Sequence, residues 1–97
     1  SLQQNWGSLE LNQIKNELSI SLEALVAMPD ELMVLALRRC HKLATKLDHP
    51  PSNKAGQEFI NLARARQKKG EIRIRGVKIV KADKRLFFSP ESKSPRQ

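Results

Sequence analysis

The sequence predicts an α+β domain: a three-helix bundle followed by a basic β-hairpin and a disordered C-terminal tail. Three observations predict it. Apolar residues recur at three- and four-residue steps from Leu9 into the sixties, the period changes to two after Gly70, and no apolar residue follows Ser89. A chain of 97 residues is long enough for one modest core. The expected organisation is therefore an N-terminal extension over 1–7, one globular domain over 8–88 and a tail over 89–97.

The first helix is expected over 9–28, where Leu11, Ile14, Leu18, Leu22, Leu25 and Val26 form one apolar stripe. Pro29 ends it, because the ring lacks an amide donor, and suits the first turn of the next helix. Asp30 and Glu31 fit that start, since carboxylates interact favourably with a helix N-terminus. The second helix then runs over 30–47, with Met33, Leu37, Cys40, Ala44 and Leu47 on one face and Leu32, Leu35 and Leu43 widening it. Asp48-His49-Pro50-Pro51 breaks the chain, and Ser52 or Asn53 caps a third helix over 53–69 that Gly70 stops. Its stripe is thin: Ala55, Phe59, Leu62 and Ala63.

Strands follow, over 71–81 and 85–88. Ile72 and Ile74 alternate with Glu71, Arg73 and Arg75, and at Gly76 the apolar parity switches to Val77 and Ile79. A bulge at Gly76 with the hairpin turn at Ala82–Arg85 is the preferred reading; a hairpin at Gly76 stays open. The expected core is Leu18, Leu22, Leu25, Met33, Leu37, Cys40, Leu43, Leu47, Phe59 and Leu62, closed on one side by Ile72, Ile74, Ile79 and Phe87.

Charge is the strongest functional signal. The net charge is +8, but residues 1–50 hold five basic and six acidic groups, whereas the remainder holds thirteen basic and four acidic. Between Arg64 and Arg85 stand Arg64, Arg66, Lys68, Lys69, Arg73, Arg75, Lys78, Lys81, Lys84 and Arg85, against only Glu71 and Asp83. A helix end, a strand face and a hairpin tip lie close in a small domain, so these charges are expected to sum into one patch. A polyanion bound there releases counterions, which makes affinity large and salt-dependent. Three helices and a basic hairpin are also the element order of winged-helix domains, a likeness of architecture that favours DNA over RNA. Base-reading amides are few in the third helix (Gln57, Asn61 and Gln67), so phosphate contacts are expected to dominate.

The expected function is thus a non-catalytic nucleic-acid-binding protein, with regulation among the roles that fit. The alternative is a protein-interaction module or assembly subunit whose basic face docks on an acidic partner, or whose apolar helices pair with a second copy. Phe87 and Phe88 beside basic strand residues have the composition of a stacking platform for single-stranded bases, but one of the two must face the core, and core packing is the expected role. Cys40, His41 and His49 fall short of a metal site, and Cys40 on the apolar stripe reads as a buried hydrophobe. His41 and His49 read as surface or capping residues. The four glycines build no phosphate-cradling loop, so neither an enzyme nor a cofactor is expected. One cysteine allows no intramolecular disulfide, and the longest strictly apolar run, Leu32 to Leu37, is too short to span a membrane. A cytoplasmic protein is expected, or a nucleoid or nuclear one if DNA is its partner.

Overall fold

Residues 17–21 read Glu-Leu-Ser-Ile-Ser, and this alternation prevails over the helical spacing around it. In the computed structural model, which describes residues 6–48 and 50–91, Asn12–Ile14 (β1) and Glu17–Ser21 (β2) form an antiparallel hairpin, with Gln13 opposite Leu18. The two-residue turn places Lys15 at φ 58°. Ser and β-branched Ile are weak helix formers, and a hairpin can bury Leu18 and Ile20 together while leaving Ile14 68 % exposed. Only Leu22–Val26 (α1) of the expected first helix is helical. Ser21 caps it, its Oγ accepting the Ala24 N–H at 3.3 Å.

Asp30–Thr45 (α2) lies close to its expected bounds, ending where Lys46 takes a left-handed conformation and donates its N–H to the Lys42 carbonyl. Leu47, beyond that cap, is 55 % exposed and not core. Asn53–Arg64 (α3) is capped by Ser52, whose Oγ accepts the Ala55 N–H at 3.1 Å. It ends five residues before Lys69, because Arg66-Gln67-Lys68 adds nothing to its apolar stripe. The chain turns extended at Ala65 and enters Lys69–Ile74 (β3).

The parity switch at Gly76 is a turn, not a bulge. Arg75 and Gly76 both have positive φ (46° and 82°), as a type I′ turn requires, and Ile74 pairs with Val77 and Ile72 with Ile79. A second turn at Asp83-Lys84 joins Val77–Ala82 (β4) to Arg85–Pro90 (β5). Ser89 and Pro90, expected in the tail, pair with Lys78 and Val77. Residues 92–97 of that tail lie outside the described residues.

Among the described residues the fold is therefore α+β with one five-stranded antiparallel sheet, in the order β1-β2-β5-β4-β3, three α-helices and a 3-10 turn over Trp6–Leu9. It is not a three-helix bundle followed by a hairpin, and the winged-helix element order falls with it. One sheet face carries Leu18, Ile20, Ile74, Val77, Ile79, Leu86 and Phe88, all buried in the same core as Met33, Leu37 and Cys40 of α2 and Phe59 of α3. Phe59 and Phe88 meet with ring centroids 6.0 Å apart. The core thus takes Phe88 where Phe87 was expected; Phe87 is 44 % exposed on the opposite face. His41, expected as a surface or capping residue, is buried, and its Nε2 hydrogen-bonds the Arg75 carbonyl oxygen at 3.1 Å, tying α2 to the β3–β4 turn. No helix among the described residues is long and apolar enough to cross a membrane.

Candidate nucleic-acid interface

Where α3 stops, three separate segments converge on one end of the sheet. Residues 65–68 lead out of the helix, residues 81–85 form the β4–β5 turn, and Ser21–Val26 starts α1. Backbone hydrogen bonds fasten them together: Asp83 N–H to the Lys68 carbonyl at 3.0 Å, and Leu22 N–H to the Lys84 carbonyl at 2.9 Å. Between them lies an open groove of about 640 Å³, lined among others by Arg66, Lys68, Lys81, Lys84 and Arg85.

These five cations do different jobs. Lys81 is buried, its side chain following Val77 and Ile79 onto the inner face. Its Nζ donates to the Leu62 and Ala65 carbonyls at 3.1 and 2.6 Å, satisfying the end of α3 where its dipole is negative. Arg85 is a strap: it donates to the Glu10 carbonyl at 2.6 Å and to the Ser19 carbonyl and hydroxyl at 3.1 Å. Arg66, Lys68 and Lys84 are exposed and form no ion pair among the described residues. Glu10, Glu23 and Asp83 also line the groove and temper its charge.

The other five expected residues lie elsewhere. Arg64 is paired with Asp30 at 2.9 Å and donates to the Met28 carbonyl, bracing the end of α3 against the start of α2. Lys69, Arg73 and Lys78 occupy the outer sheet face. There Arg73 sits between Glu71 and Glu91 at 3.1 and 2.6 Å, and Lys78 reaches Glu71 at 3.9 Å. Arg75 is in the β3–β4 turn, at the opposite end of β4 from Lys84. The single patch expected from the sequence is thus divided by strand alternation and by turns at opposite ends of the sheet.

A second basic surface escapes the sequence reading. Arg39, Lys42 and Lys46 project from α2 and its cap into a groove of about 550 Å³ that also includes Trp6, Leu11, Gln13 and Leu43. Among the described residues no acidic one lines it. The signal was present as three- and four-residue spacing, which puts all three on one helix face, but it is invisible in a half-chain whose charges nearly cancel. Neighbouring Arg38 is engaged elsewhere, donating to both oxygens of Asp48 at 3.0 and 3.2 Å, and that hydrogen bond and charge push its pKa up.

Cys40 is buried in the core, and burial pushes its thiol well above the ordinary range, so the reactive thiolate is suppressed. Among the described residues no group of three His, Cys, Asp or Glu side chains is placed to hold a metal ion. No protein-family model matches the chain, and no curated protein matches it at a significant level.

Proposed function

We propose that the chain binds nucleic acid without catalysis, mainly through phosphate contacts in the groove at the end of α3. One observation carries this reading: Arg66, Lys68 and Lys84, from two segments held by a backbone hydrogen bond, are exposed, without ion pairs among the described residues, and line one groove. Cations fixed on a rigid frame lose less entropy on meeting phosphates than cations on a loose tail, and each phosphate neutralised releases counterions. The expectation that favoured DNA drew on a helix-and-hairpin order that the fold does not have. On α3, Gln57 Nε2 donates to Asn61 Oδ1 at 2.9 Å, so the amides suited to base edges engage each other. Backbone recognition is accordingly the stronger basis, and it is compatible with DNA or RNA.

The test is fluorescence anisotropy with labelled duplex DNA, single-stranded RNA and heparin at low and near-physiological salt. The combined Arg66→Glu, Lys68→Glu and Lys84→Glu variant is expected to bind much more weakly. Replacing the three with Ala should flatten the log-log salt dependence by about two to three units if each meets one phosphate. Unchanged affinity and slope in these variants would sink the reading.

A second reading, a protein-interaction module whose basic face docks on an acidic partner, has its own observation. Ile14 and Phe87 are exposed on the outer sheet face that also carries Arg73 and Lys78. Binding to heparin at least as tight as to either nucleic acid at near-physiological salt would favour it. The apolar face of α2 that suggested pairing with a second copy packs instead in the core, where Met33, Ala36, Leu37, Cys40 and Ala44 are buried.

A further inference from the structure

We infer that the groove between Trp6 and the C-terminal half of α2 is a second contact for single-stranded nucleic acid, where an unpaired base stacks and phosphates meet Lys42 and Lys46. The inference rests on the nucleic-acid reading above and extends it to a surface with its own chemistry.

Three features of this groove point to that occupant. Its charge is of one sign, because among the described residues Arg39, Lys42 and Lys46 line it and no carboxylate side chain does, whereas the groove at the end of α3 includes three carboxylates. It contains an aromatic ring already paired with a cation: the Arg39 guanidinium lies over Trp6, 4.8 Å from the ring centroid. Trp6 is half-buried and packs against the core, while Arg39 is exposed. Base stacking on aromatic rings or guanidinium planes inside a positive groove is how single strands are held without reading sequence. A folded acidic protein would satisfy the cations but leave the ring-and-guanidinium stack without a planar partner.

Glu10 lines the groove at the end of α3 and Leu11, the next residue, lines this one, so both grooves border the same stretch of chain. Ion pairing does not compete at this surface, since Arg39, Lys42 and Lys46 form none among the described residues.

Trp6 is the chain's only tryptophan, so its emission reports on this groove alone. The 97-residue protein would be titrated with an unlabelled oligouridylate about twelve nucleotides long, with anisotropy of a labelled copy as the independent measure of binding. Quenching of Trp6 is expected to saturate together with the anisotropy signal. Inorganic polyphosphate, which has the charge without the bases, should compete for binding without reproducing the quench. Lys42→Gln with Lys46→Gln should weaken the single strand about tenfold and leave the thermal unfolding midpoint nearly unchanged, because both side chains are exposed and the substitutions place no carboxylate at the C-terminal end of α2. Trp6→Phe should retain most of the affinity, and Trp6→Ala should lose about tenfold.

Binding by anisotropy with unchanged Trp6 emission and unchanged affinity in the Lys42/Lys46 variant would overturn this inference and leave the proposed function standing. Equal quenching by polyphosphate would overturn the stacking. Absence of binding to any nucleic acid would overturn both readings.

Discussion

Phe87 and Phe88 are neighbours in the chain and opposites in environment: Phe88 is fully buried against Phe59, and Phe87 is 44 % exposed on the other side of the sheet. The lysines of β4 divide in the same way, with Lys81 buried beneath the end of α3 and Lys78 half-exposed near Glu71. Residue type therefore says little here and strand parity says most. The inner face turns side chains into structure, even a lysine, whereas Phe87 and Lys78 on the outer face keep their contact with solvent.

Substitutions can break that division or sharpen it. The largest effect is expected from Phe88→Ala, which removes a buried ring from the centre of the sheet and should cost about 3–5 kcal/mol, read as a lowered urea midpoint. If Phe88→Ala cost no more than a surface change, the two-faced description would fail. Lys81→Met keeps the buried stem but leaves the Leu62 and Ala65 carbonyls without their donor. A loss of about 1–3 kcal/mol is expected, with hydrogen exchange quickening in the last turn of α3. Phe87→Ser should cost less than about 1 kcal/mol, since its ring is partly in water already. Smallest of all, Lys68→Ala and Lys84→Ala should change stability by less than about 0.5 kcal/mol while lowering nucleic-acid affinity at low salt. A large loss of stability in either would move these lysines from the binding surface to the scaffold.

Much of the helical part was legible. Pro29 with Asp30 and Glu31, the unbroken apolar face from Met33 to Ala44, and Ser52 as a cap each name an element boundary through local chemistry that the fold keeps. Residues 11–22 misled because Leu11, Ile14, Leu18 and Leu22 fall at helical intervals while Leu18 and Ile20 also fall at the strand interval. Pairing with β5, a partner far away in sequence, decides between them. Of the candidate site, the basic composition was readable but its division was not. Lys81 keeps parity with Val77 and Ile79, and that phase marked it for the interior had it been weighed above its charge. Arg39, Lys42 and Lys46 were hidden by counting charge over half the chain rather than along one helix face.

The position of β5 has a consequence for how the chain assembles. It lies in the middle of the sheet although it is the last strand in sequence among the described residues, and Arg85 meets Ser19, 66 positions earlier in the chain. Until β5 is in place the sheet is two separate hairpins, each with an unpaired edge facing the gap. Closing so long a loop is slow, since its entropy is lost before any contact rewards it. On a ribosome the half-sheets must wait for residues 85–90 to emerge, and during that wait their open edges are the surfaces most exposed to mispairing with another chain.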